Sequence, residues 1–171
     1  MVTHEHSDHN NIDAIGGDPI IINGPGEYEI KGVFVYGKRA YHDDNNGLEK
    51  GAITIYLIED ENVKLAHLGD LGQKKLTDDQ LEFLDDVDIL LVPVGGPHSL
   101  KSSDAINIIN EIEPRVVIPM HYKIDGVNIN LESVDKFVKE IGLTPEKMDE
   151  FKASKDSFSA DELKLIILNK Q

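Results

Sequence analysis

The sequence predicts an α/β fold: a layered sandwich with helices on the outside. Two observations predict it. The first half of the chain carries short, loosely alternating segments broken by turn residues. The second half alternates nearly continuous apolar runs with segments of helical period.

In chain order, Pro19 to Asn23 reads as a short apolar strand, and Gly24-Pro25-Gly26 punctuates it as a turn. Glu27 to Tyr41 reads as two strands broken near Gly32, and Asp43 to Gly47 as a loop. Ile53 to Glu59 and Val63 to Leu68 flank Asp60-Glu61-Asn62 as a hairpin. Thr77 and Gln80 have the spacing of a capping box, with Leu76 and Leu81 as its hydrophobic staple, so a short helix follows and ends near Asp85. Asp88 to Val94 is apolar enough for a strand buried on both faces. Ser102 or Ser103 is expected to cap a helix whose Ala105, Ile108, Ile109 and Ile112 share one face. Arg115 to Pro119 is a further buried strand. Leu131, Val134, Phe137, Val138 and Ile141 mark another amphipathic helix, stopped by Gly142, and Leu163 to Leu168 closes the chain as a strand.

A length of 171 residues suits one domain, residues 1–171, with a real core. The chain has no cysteine, so disulfides and thiolate metal sites are excluded, and any metal must be held by histidine and carboxylate. A net charge of −15 repels a phosphate backbone, which disfavours nucleic acid as a partner. No apolar run reaches membrane-spanning length and the N-terminus carries no targeting stretch, so a cytoplasmic location and no membrane partner are expected.

The chemistry concentrates at the N-terminus, where four of the six residues from His4 to His9 are potential metal ligands: His4, His6, Asp8 and His9. In an extended strand, residues two apart point the same way, so His4 and His6 converge. A turn after His6 would swing Asp8 and His9 to a neighbouring point, an arrangement suited to two metal ions a few ångströms apart.

This run, THEHSDHNN, resembles the signature of the metallo-β-lactamase superfamily. GPGEYEIKGV, YHDD, HLGDLG, PVGG and VIPMHYK then follow in the order seen in zinc-dependent hydrolases related to ascorbate-6-phosphate lactonase. The resemblance covers nearly all of residues 2 to 142. It implies a four-layer αββα sandwich and two divalent ions, zinc first, with manganese or iron as alternatives. It also implies that His4, His6 and His42 hold one ion and that Asp8, His9 and His121 hold the other, with Asp70 bridging. The bland readings are a solvated surface histidine at His42 and a turn aspartate at Asp70. His67 reads as a core or supporting histidine. His98, Tyr122 and Lys123 are weaker candidates for substrate contact.

The expected activity is hydrolysis of a small-molecule ester, lactone or phosphoester by a hydroxide held between the ions, with Asp8 or Asp70 relaying the proton. The rival reading is a non-catalytic metal-binding fragment or interaction module; a nuclease comes third. Relatives of this kind begin with several strands before the histidine run, whereas here it starts at once. The sandwich is therefore expected to lack its first N-terminal strands, and an uncovered sheet is expected to leave the protein self-associated, as a homo-oligomer, or poorly soluble.

Overall fold

Two tight turns set strand pairing in the first half. The computed structural model describes residues 1–158 and 162–170. β1 (Gly26–Ile30) pairs antiparallel with β2 (Val33–Tyr41) across Lys31-Gly32, and β3 (Ala52–Asp60) pairs with β4 (Val63–His67) across Glu61-Asn62. All four loop residues have positive φ, the hairpin-turn conformation whose twist matches that of the flanking strands.

Beyond β4 the pairing becomes parallel, through β5 (Ile89–Pro93), β6 (Val116–Met120), β7 (Glu146–Met148) and β8 (Lys164–Leu168). The result is one eight-stranded sheet of order β1-β2-β3-β4-β5-β6-β8-β7. Parallel neighbours need crossovers, and these carry α1 (Asp78–Phe83), α2 (Ser102–Ile112) and α3 (Val134–Ile141). Right-handed crossovers stepping one way along a sheet place their helices on one face.

Side-chain alternation divides the two faces. Ile53, Ile55, Leu57, Ala66, Leu90, Val92, Val117 and Leu165 join the helices in the main core. Their strand neighbours point the other way: Ile89, Val116, Ile118 and Ile166 form one cluster, and Val35 and Tyr56 form another with Ile22. The connection from β7 back to β8 runs against the direction of the other crossovers and packs Phe151 and Phe158 on this second face. Lys155 ties it down, its Nζ lying 3.1 Å from both carboxylate oxygens of fully buried Asp88, which Arg115 Nη1 also reaches at 2.8 Å.

The architecture is thus the mixed α/β fold expected, with one sheet and one helical layer among the described residues. Three local expectations are corrected, and one strand was not expected. Residues 19–23 form no strand, although Ile22 is buried and its carbonyl accepts the Val2 N–H at 2.8 Å. Neither serine caps α2: Lys101 holds the cap position, while buried Ser102 is the first helical residue and donates to the Val94 carbonyl at 3.4 Å. Leu131 lies outside α3, which starts at Val134. Finally, β7 carries no alternating pattern to announce it. Among the described residues no helix is long and apolar enough to cross a membrane.

Candidate metal centre

Five segments meet at one end of the sheet: the N-terminal stretch, the β2–β3 connection, and the loops that follow β4, β5 and β6. In a parallel sheet the carboxyl ends of the strands open a crevice for ligands. The N-terminal stretch is not a strand, contrary to expectation, but it is fastened to the sheet. The Thr54 N–H donates to the Thr3 carbonyl at 2.8 Å, and the Tyr56 hydroxyl donates to that of Val2 at 2.7 Å. The chain then turns, with the His9 and Asn10 N–H groups donating to the His6 carbonyl. Before that turn, His4 Nε2 lies 3.1 Å from His6 Nδ1, so the two rings converge without a strand.

Two glycines let the other segments close in. A Cβ at Gly72 would collide with the His42 carbonyl, and one at Gly95 with that of His121. His121 itself has φ 52°, an uncommon value for a residue with a side chain, and one that clusters at functional sites.

At the centre stands buried Asp70. Its Oδ2 lies 3.3 Å from His9 Nε2, 3.3 Å from His121 Nε2, 3.6 Å from His42 Nε2 and 4.0 Å from His4 Nε2. Asp8 Oδ2 is 3.6 Å from His9 Nε2, and its side chain is half exposed. His4, His6 and His42 could hold a metal ion between them, as could His4, His9 and Asp70.

Electrostatics keeps most of these rings neutral. Burial and the neighbouring His9 lower the pKa of His4 to about 4. Burial likewise depresses His42 and His121. His9 is raised instead, because its ring is hydrogen-bonded to Asp70. Burial pushes the Asp70 carboxyl upward, but the His9 bond and the surrounding imidazoles outweigh it and hold the group below its ordinary value.

Supporting contacts orient the rings. His4 Nδ1 lies 3.0 Å from Thr3 Oγ1, and His121 Nδ1 lies 3.2 Å from Ser99 Oγ. If each Nδ1 carries the proton toward its hydroxyl, Nε2 presents a lone pair to the centre. His42 Nδ1 is buried with no hydrogen-bond partner among the described residues.

A cavity of about 330 Å³ opens above this centre, lined by His6, Asp8, His42, Lys50, Asp70, His98, His121 and Ile129. His98 therefore faces it. Tyr122 instead packs against the main core, and Lys123 turns its ammonium onto the carbonyls of Val127 and Ile129. Neither lines the cavity. Lys50, Ser99 and Ile129 carried no sequence signal, since a lone lysine, serine or isoleucine in a loop has no spacing to betray it.

Residues 1–121 match the family described as beta-lactamase superfamily domain. Over 98 residues the chain is 31% identical to a metal-dependent hydrolase of Pyrococcus horikoshii, covering 57% of this chain and 44% of that protein. Over 108 residues it is 33% identical to one from Thermoplasma acidophilum, covering 63% and 47%. The matched stretch thus spans less than half the length of either. A crystal structure from Thermotoga maritima, titled as a candidate Zn-dependent hydrolase of the metallo-β-lactamase superfamily, superposes with a TM-score of 0.78 at 29% identity. That match covers 98% of this chain and 80% of the other. A metallo hydrolase from Ignicoccus hospitalis shares the fold, with a TM-score of 0.60 at 20% identity over 82% of this chain and 70% of its own.

Proposed function

Because the chain belongs to the metallo-β-lactamase superfamily, we propose that it is a metal-dependent hydrolase acting on a small-molecule ester, lactone or phosphoester. One observation carries the reading: a single carboxylate oxygen, Asp70 Oδ2, faces four imidazole Nε2 atoms within 4.0 Å. His9 donates to that oxygen, but the neutral rings of His4 and His121, with Nδ1 turned to Thr3 and Ser99, aim lone pairs at it and repel it unless a cation stands between them. The donor set fits such a cation. Imidazole and carboxylate without thiolate suit zinc, and also manganese or iron.

In this reading His4, His6 and His42 would hold one ion and Asp8, His9 and His121 the other, with Asp70 available to both. When bound, the ions supply Lewis acidity, which activates water at neutral pH and polarises the substrate carbonyl or phosphoryl oxygen. The chain supplies the rest. Thr3 and Ser99 orient their histidines through Nδ1. Asp70, held ionised by its neighbours, fixes the charge of the centre. Asp8, half exposed at the cavity wall, takes up the proton released by the attacking water and passes it to solvent. The cavity has the volume of a small-metabolite site, and a lactone or phosphate ester is the first choice.

Elemental analysis after dialysis against zinc or manganese tests this. Roughly two ions per chain are expected, with most of the metal lost in Asp70→Asn and little in His98→Ala. Metal retained without turnover of any ester, lactone or phosphoester in a panel would leave a binding module in place of an enzyme. Failure to take up any metal would remove the centre altogether.

A further inference from the structure

We propose that Lys50 selects the substrate by pairing with an anionic group, a carboxylate or phosphate, outside the bond that is cleaved. The inference rests on the hydrolase reading and gives that site a substrate class. In a chain of net charge −15, Lys50 is the one lysine or arginine among the residues lining the cavity above the centre. A cation so placed in an acidic protein marks where a negative ligand group is held.

The loop that carries Lys50 is fixed in advance. Asp43, the residue after His42, accepts four backbone N–H bonds, from Asn45 at 2.8 Å, Gly47 at 2.9 Å, Glu49 at 3.0 Å and Lys50 at 2.7 Å. The loop therefore wraps one buried carboxylate and returns Lys50 to the side of the ligand histidine. Across the cavity mouth, Lys50 Nζ donates to the carbonyls of Pro97 and His98, each at 3.2 Å. An ammonium has three donors, so these contacts fix its place and leave one for a ligand.

A second cavity, of about 380 Å³, adjoins the first, with His6 and Lys50 in the walls of both. Its other basic residue is Arg39. A substrate whose reacting bond lies over Asp70 and whose charged end passes Lys50 would meet a second cation there. A neutral substrate gains nothing from either.

The test compares 4-nitrophenyl hemisuccinate with 4-nitrophenyl butyrate, which share ester and leaving group and differ in one carboxylate. In metal-loaded wild-type protein the hemisuccinate should have the higher kcat/KM. Lys50→Gln should lower the ratio of the two values roughly tenfold, the effect of losing one charge-assisted hydrogen bond. The change should fall in KM for the anionic ester, and Lys50→Arg should restore the ratio. An unchanged ratio in a Lys50→Gln protein that melts normally would overturn the proposal.

A second measurement needs no turnover. Acetylation of Lys50 by an activated ester, followed by mass spectrometry, should slow in the presence of succinate or phosphate. Lys74, which pairs with Asp44 at 2.8 Å, is the internal control. Whichever anion protects Lys50 identifies carboxylate or phosphate as the group recognised. Protection by neither would reject the assignment. If neither ester is hydrolysed, the labelling alone decides the role of Lys50.

Discussion

His67, the last residue of β4, accepts the Gly69 N–H on Nδ1 at 3.0 Å and so shapes the turn that presents Asp70. Burial holds its pKa below the ordinary value of 6.5. The unfolded ring therefore takes a proton as pH falls through about 6.5 while the folded ring resists it. The resulting stability is complete above that pH and is lost as pH drops below it. His67→Asn keeps an acceptor for Gly69 and does not titrate. Thermal melts of metal-free protein from pH 8 to pH 5 should fall less steeply for the variant, and equal slopes would show that the ring protonates freely in the fold. At this scale the sequence was most legible where ligand-type residues crowd together. His4, His6, Asp8 and His9 stand within six positions, and the structure gathers them around Asp70. Lys50 and Ser99 reach the same cavity wall or ring only through folded loops, so nothing local pointed to them.

The capping box of α1 was read correctly from local spacing, whereas the cap of α2 and the segment before β1 were not. The α1 capping box is present in full: Gln80 N–H donates to Thr77 Oγ1 at 3.2 Å, and Thr77 N–H donates to Gln80 Oε1 at 3.0 Å. Gln80 is also buried and donates to the Arg39 carbonyl on β2 at 3.0 Å, so the cap is tied to the sheet. Thr77→Ala should cost about 1 kcal/mol of unfolding free energy, read by urea denaturation. Gln80→Ala should cost more, because it removes the returning bond of the capping box and the bond to β2 together. By contrast, the apolar pattern of residues 19–23 reflects the burial of Ile22 beneath the Tyr56 ring, with no ladder beside it. The two serines that open α2 have cap chemistry, but they stand one position too late, and Ser102 spends its hydroxyl on Val94.

Across the whole molecule, alternation revealed that strands existed but not how many layers they build. The face away from the helices is apolar along its length: Ile58 and Leu65 sit opposite one another on β3 and β4, and both remain half exposed. Only the β7–β8 connection and the segment around Ile22 lie over this face among the described residues. An apolar sheet face in water recruits a second copy. The 171-residue chain should therefore sediment as an oligomer and bind a hydrophobic dye. Ile58→Lys combined with Leu65→Glu puts an opposite-charge pair across that register and should shift the protein toward monomer. A wild-type chain that is monomeric at high concentration would count against this account of the face.

The gathering of ligands around Asp70 also sets a timetable. Six strands, β1 to β6, are made between His4 and His121. At ordinary synthesis rates the interval is on the order of ten seconds. During that time the N-terminal histidines are exposed on an unfinished chain with nothing to position them. A metal ion captured then would meet the wrong partners, so correct loading waits for β6 to enter the sheet. Closing the ring of ligand-type groups around Asp70 thus requires the parallel half of the sheet to have formed.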